Sequence, residues 1–211
     1  MRKLFPIFAG AAALLVTSLP VAATAAPLVF DLTSDHCTGG CGTPPFGSVT
    51  LIQNGTTVDV TVDLFGPNAF VKTGAGDSQA FKFNATGVVV GDITVDQNDP
   101  GQTLAAQTGV FNGDGGGLFN FGIACTTCGG GASDAFSTDL IFHVANATIA
   151  DLTVPNNLGN VFVADIIGST GNTGLVDATT PHPPTVPEPT SLALLGSALA
   201  GFGFLRRRKQ A

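Results

Sequence analysis

The stretch Thr57-Val58-Asp59-Val60-Thr61-Val62-Asp63-Leu64 decides the fold class. Its apolar side chains share one face of an extended chain and its polar side chains share the other. This period of two is typical of a half-buried β-strand. Residues 48–53 alternate in the same way, and Asn54-Gly55 between the two runs predicts a β-hairpin.

Similar alternation recurs along the chain. It predicts further strands at 28–33, 68–72, 79–84, 87–95, 118–124, 138–145, 147–153 and 160–167. No stretch between the termini keeps helical spacing over three turns, and turn residues recur every 8–12 positions. The fold class is therefore expected to be all-β, a β-sandwich or jelly-roll-like ectodomain over 26–178.

Two further features of the body bear on its packing. Residues 96–117 are weakly patterned and are expected to form a long connection. The phenylalanine pairs Phe81/Phe83 and Phe119/Phe121 are each spaced by two, so each pair points to one side of its strand. All four rings are expected to fill the core between sheets.

The charge is distributed unevenly. The total is −7, but the termini hold six of the eight basic residues, leaving Lys72 and Lys82 between them. All 15 acidic residues also lie between the termini, so 15 carboxylates and two lysines give −13. A region with two lysines and no arginine cannot neutralise a run of phosphates, which excludes nucleic acid as a partner.

The N-terminus has the three parts of a secretory signal peptide. Arg2 and Lys3 precede the uncharged, mostly apolar stretch 4–19, and Ala23-Thr24-Ala25 supplies small residues at the cleavage site. We expect residues 1–25 to form a signal helix that is removed after Ala25.

The C-terminus contains a second apolar segment. Residues 190–205 carry no charge and predict a transmembrane helix of about 24 Å at ~1.5 Å rise per residue. The basic tail 206–211, with Arg206, Arg207, Arg208 and Lys209, is expected to stop transfer on the cytoplasmic side. Residues 179–189 contain five prolines and predict a stiff, extended spacer between body and membrane.

Val186-Pro187-Glu188-Pro189, the apolar span and the basic stop together resemble the PEP-CTERM sorting signal, also labelled an ice-binding protein C-terminal domain. The resemblance covers about 25 residues and implies that Pro187, Glu188 and Pro189 form the motif recognised by exosortase. It further implies a Gram-negative host that makes exopolysaccharide or biofilm matrix. The protein would be exported, held transiently in the inner membrane, and then processed to reach the cell surface or medium.

Four cysteines occur in two close pairs, Cys37/Cys41 and Cys125/Cys128. Export favours disulfides, and pairing within each pair is preferred to the two cross-pairings, which spacing alone does not exclude. A zinc site with all four cysteines is less favoured because 84 residues separate Cys41 from Cys125. A thioredoxin-like site is disfavoured by the lack of a βαβ setting.

Most of the aspartates, such as Asp59 and Asp63, are expected on a solvated outer face. A calcium site is an alternative for Asp92, Asp96 and Asp99, or around Asp114, because hard cations prefer several oxygen ligands. The body is not expected to be an enzyme, since it has no G-x-S-x-G element; His143 is the one candidate for a hydrolase.

The body also resembles a group of ectodomains that recur with this tail, through residues 35–41, 70–77 and 81–84. That group of ectodomains has no established activity that could be assigned to this body by resemblance. The expected function is a non-enzymatic surface or matrix protein, with exosortase, the inner membrane and exopolysaccharide as partners. The alternatives are a carbohydrate- or ice-binding module, which the lack of Trp and Tyr disfavours for sugars, and a secreted hydrolase.

Overall fold

A computed structural model describes residues 26–72 and 78–182. Within them the chain forms thirteen strands and one short helix. The strands are β1 Leu28–Leu32, β2 Ser34–Asp35, β3 Gly47–Asn54, β4 Thr57–Leu64, β5 Ala69–Lys72, β6 Gln79–Phe83, β7 Ile93–Val95, β8 Leu104–Asn112, β9 Leu118–Cys125, β10 Gly131–Phe136, β11 Leu140–Ala145, β12 Phe162–Ile167 and β13 Thr173–Ala178. The helix α1 spans Ile149–Leu152, and a 3₁₀ turn spans Val90–Asp92.

One sheet, called sheet A here, has the strand order β1-β3-β4-β11-β7 and is antiparallel throughout. Its centre is the predicted hairpin, in which β3 and β4 pair from Gly47 opposite Leu64 to Asn54 opposite Thr57. Gly55 has a φ of 61° in the turn, a conformation that glycine adopts at little cost. The alternating stretch that opened the sequence analysis therefore lies at the centre of sheet A.

The second sheet, sheet B, follows the order β10-β5-β12-β6-β9-β8; β13 also pairs with β12, and β2 pairs with β13. Strand β13 pairs with β12 along its length. The opposite edge of β12 is shared by β6, which pairs with Phe162–Ala164, and by β5, which pairs with Ile166 and Ile167. Strand β12 is therefore the central strand of sheet B.

The two sheets pack through phenylalanine rings. Phe142 of sheet A lies 5.3 Å from Phe83 and 6.0 Å from Phe81 of sheet B, measured between ring centroids. Phe30 of sheet A meets Phe162 of sheet B edge-on at 5.0 Å. Because these rings and the apolar face of β4 are buried, the prediction of an all-β fold with an aromatic core is confirmed.

Phe119 departs from that expectation. It is buried with Val163 and Leu175 in a small cluster separate from the main core. The pairing of β6 with β9 ends at Phe83 opposite Phe121, and the β8–β9 ladder shifts between Thr108 and Phe111. Beyond that point the spacing of two no longer keeps Phe119 on the core side, so the prediction was wrong for this ring.

Three expected elements also differ. Residues 147–153 were expected to form a strand but contain α1, because Thr148 donates from its backbone N–H and its Oγ1 to the Asp151 carboxylate and so starts a helical turn. The stretch 87–95 is a strand only at β7. Residues 96–117 were expected to be a connection but contain the nine-residue strand β8.

Candidate functional site

The sorting motif, Pro187 to Pro189, and the basic stop, Arg206 to Lys209, lie outside the described residues, as do the signal peptide and residues 190–205. Among residues 26–72 and 78–182, no helix is long and apolar enough to cross a bilayer. The structure does describe how the body meets the start of the spacer.

The chain leaves the body along the edge of sheet A. Pro181 forms a bridge with Phe30 of β1, and the backbone N–H of His182 donates to the Val29 carbonyl at 2.7 Å. The His182 ring contacts the Asp31 carboxylate through Nε2. A shallow groove of about 280 Å³ lies here, lined by Asp31, Thr33, Thr179, Thr180, Pro181 and His182. The first residues of the spacer are thus held against β1.

The first cysteine pair closes a small loop on the end of sheet B. Cys37 is bonded to Cys41, which is the pairing favoured above. Asp35 accepts from the backbone N–H of Cys37 at 2.9 Å and of Cys41 at 2.8 Å. Within the described chain, Asp35, Cys37 and Cys41 are the one convergent group of three potential metal ligands. Because the two sulfurs are bonded to each other, they are not thiolate ligands for a metal, and the disulfide closes the loop.

The second pair, Cys125 and Cys128, is also joined, at the end of β9. The Gln102 side-chain oxygen lies 3.2 Å from each sulfur and accepts from the Thr127 hydroxyl at 3.1 Å. The two disulfides use all four cysteines, so the four-cysteine zinc site does not form.

His143 lies on the outer face of sheet A between two aspartates. Its Nδ1 is 2.7 Å from Asp59 Oδ1 and its Nε2 is 3.5 Å from Asp96 Oδ2. The hydrogen bond to Asp59 is the main cause that raises the pKa of His143, with burial opposing it and Asp96 adding to it. All three side chains are partly exposed, so this contact lies at the solvent-facing surface of sheet A.

This arrangement does not resemble a hydrolase triad. A triad histidine presents one nitrogen to a carboxylate and the other to a nucleophilic hydroxyl. Here the second nitrogen faces the Asp96 carboxylate, which favours the protonated imidazole and is not a nucleophilic hydroxyl. The geometry suits an exposed ionic link across β4, β11 and the end of β7.

Three of the four aspartates considered for calcium have local partners. Asp92 accepts from the Val89 backbone N–H at 3.0 Å, and Asp99 accepts from the Gly101 backbone N–H at 2.8 Å. Asp96 faces His143, and Asp114 lies in a turn with a φ of 35°. Among the described residues, Asp92, Asp96 and Asp99 do not converge as a group of potential ligands, and Asp114 is in no such group.

Sequence reasoning missed the buried polar residues of sheet B. On the face turned away from sheet A, Lys82 Nζ of β6 lies 2.8 Å from Asp165 Oδ2 of β12, and each side chain is 1% exposed. On the same face, Asp177 of β13 is 2.7 Å from His36 Nε2. The signal available in the sequence was a lysine between Phe81 and Phe83 in a predicted strand. In the structure all five residues of that strand are buried.

Comparison with known proteins gives one match. The PEP-CTERM protein-sorting motif matches residues 185–209. No curated protein and no solved structure matches the chain. The tail recognised in the sequence is therefore a PEP-CTERM sorting motif, as expected, and a protein with this tail is exported, anchored transiently in a membrane, and targeted to the surface through processing by exosortase.

Proposed function

We propose that the body is a non-enzymatic structural protein of the exopolysaccharide or biofilm matrix of a Gram-negative bacterium. The observation that carries the proposal is the sorting motif at 185–209 behind a disulfide-stapled β-domain. Both local disulfides suit an oxidising environment outside the cytoplasm. The acidic, cation-poor body suits a hydrated, extracellular setting.

The sorting step is tested by peptide mapping of the surface and released forms of the protein. We expect peptides from the body but none from 190–209, and we expect a Glu188→Ala variant to keep those peptides in the membrane fraction. Pro183→Ala, outside the matched residues, is the control and should be processed normally. Recovery of the intact tail on the released wild-type protein would contradict processing.

Matrix association is tested separately by deleting exopolysaccharide synthesis in the host. We expect the processed protein to move from the matrix fraction to the medium, since its anchor is gone and its retention depends on the polymer. Unchanged retention in the deletion strain would count against the matrix role while leaving the sorting step intact.

A second candidate function is binding to a carbohydrate or to ice through the outer face of sheet A. Its motivation is a cross-strand row of half-buried side chains, in which Val29, Thr50, Thr61 and Ile141 lie side by side in register. A glycan array at several calcium concentrations and an ice-recrystallisation assay test it, with Thr50→Lys and Thr61→Lys as blocking variants. Equal activity in these variants would exclude this face.

Calcium binding by Asp92, Asp96, Asp99 or Asp114 stays a prediction. A calcium-specific rise in the unfolding temperature, relative to magnesium at equal ionic strength, would support it, because a ligand that binds only the native state stabilises it. A rise that Asp96→Asn and Asp114→Asn both leave unchanged would place the site elsewhere.

A further inference from the structure

Lys82 and Asp165 are a close pair of ionisable groups buried inside the protein. The Lys82 Nζ to Asp165 Oδ2 distance is 2.8 Å, and both side chains are 1% exposed. They belong to the neighbouring antiparallel strands β6 and β12, where Lys82 is opposite Val163 and Asp165 is two residues further along. The Nζ also lies 3.2 Å from the Gln79 backbone carbonyl, which holds the amine in place.

This pair is costly as an ion pair. Removing both charges from water often costs more free energy than their attraction returns, and apolar residues of similar volume frequently do as well or better. The charge balance makes the burial more notable, because the region between the termini has only two lysines and one of them is enclosed here. Lys82 therefore contributes nothing to the surface charge of an acidic protein.

Burial also favours the chemistry of amide formation. Transfer of one proton from the ammonium to the carboxylate gives a neutral amine and a neutral acid, which removes the cost of burying two charges. A neutral primary amine is a nucleophile, and a protonated carboxyl group is an electrophile with water as its leaving group. Because the Nζ–Oδ2 distance is 2.8 Å, the amine nitrogen lies within about 4 Å of the carboxyl carbon, and a rotation of the carboxyl group would bring the two atoms to the roughly 3–3.5 Å separation of a near-attack geometry.

We propose that Lys82 and Asp165 form an intramolecular amide cross-link. The bond between Lys82 Nζ and Asp165 Cγ forms, and one Cγ–Oδ bond breaks. The carboxyl hydroxyl leaves with one amine hydrogen as a water molecule, so the step requires no oxidant, reductant or co-reactant. The product ties β6 to the central strand β12 by a covalent bond between residues 83 positions apart.

Peptide mapping of the exported wild-type protein tests the link directly. After reduction and digestion with trypsin under denaturing conditions, we expect cleavage after Lys72 but not after Lys82, because an acylated lysine is not a trypsin site. A second digestion with chymotrypsin should release a branched peptide that contains both Lys82 and Asp165 and is lighter than its two parts by one water molecule.

Several outcomes would overturn the proposal. Cleavage after Lys82, together with unlinked peptides of full mass for both residues, would show a plain ion pair. The missing water could instead map to Asp114-Gly115, where a cyclic imide can form. That result would also count against the link. Both readouts use the wild-type protein and so do not depend on whether a variant folds.

Variants sharpen the assignment. Lys72→Arg changes the other lysine and should leave the branched peptide in place. Lys82→Arg should abolish it, since a guanidinium does not acylate under these conditions. Asp165→Asn, if folded, should form the same amide with loss of ammonia instead of water; an unchanged loss of water in that variant would contradict the proposed chemistry.

Discussion

At the scale of single residues, His143 is the clearest titratable contact on the surface of sheet A. Its raised pKa comes first from the hydrogen bond to Asp59. A histidine whose pKa is higher in the folded state than in the unfolded state stabilises the fold when protonated. This contribution is complete below the unfolded pKa of about 6.5 and is lost as the pH rises through the folded pKa.

We therefore predict that His143→Gln flattens the pH dependence of stability. Urea unfolding across this pH range should show a small loss of free energy for the variant on the acidic side and none on the alkaline side. We expect the loss in the free energy of unfolding to be about 0.2–1 kcal/mol, the range found for exposed ion pairs. Asp59→Asn should flatten the profile more than Asp96→Asn; the reverse order would contradict the assignment of Asp59 as the main partner.

Asp139 and Asp151 are predicted to affect stability in opposite directions when each loses its charge. Burial, and then repulsion from Asp139, raises the pKa of Asp63, whereas hydrogen bonds from Thr148 lower the pKa of Asp151. Asp139→Asn should raise the unfolding temperature at neutral pH, and Asp151→Asn should lower it. The two variants change the net charge equally, so a shift of the same sign in both would show that only total charge matters.

Residue identity predicted some of these sites and not others. The disulfides followed from close spacing in an exported chain, because few other partners are in reach of a cysteine three or four positions away. Lys82 and Asp165 lie 83 residues apart and meet only through strand pairing, so no local pattern indicates their contact.

At the scale of elements, the missed strands lie mainly at the edges of sheet B. Strands β8 and β10 are the two ends of its strand order, and each has a single buried residue, Leu104 in β8 and Phe136 in β10. An exposed edge strand does not need one apolar face, so it lacks the alternation that identified β4. Strand β13 was missed for another reason, because its buried Asp177 and its Gly174 interrupt the apolar run.

The contact between the first disulfide loop and the end of β12 predicts a sensitive glycine. A Cβ at Gly168 would collide with the Cys41 carbonyl group, which is backbone and cannot turn aside. We expect Gly168→Ala to lower the free energy of unfolding by about 1–3 kcal/mol, measured in urea. Gly91→Ala is the control, since a Cβ there meets no atom within 4 Å; equal losses in both variants would contradict a steric cause.

At the scale of the whole molecule, charge and architecture act against each other. The body over 26–178 has fourteen aspartates against two lysines, a formal charge of −12 with histidines neutral. Such an excess keeps the protein soluble and discourages pairing between exposed edges such as β8 and β10, but it strains the compact state by self-repulsion. The aromatic core and the two disulfides have to offset that repulsion.

This balance predicts that salt stabilises the protein. Screening shortens the Debye length to about 10 Å at 0.1 M ionic strength, so most of the gain should come below that concentration. We expect the unfolding temperature at pH 7 to rise steeply with added sodium chloride and then to level off, and Asp139→Asn to show a smaller rise. A continued linear rise would indicate a general salting-out effect, and a fall would mean that favourable surface ion pairs outweigh the repulsion. Buried Lys82 and Asp165 are shielded from ions, so the salt response should be the same in a variant that lacks this pair.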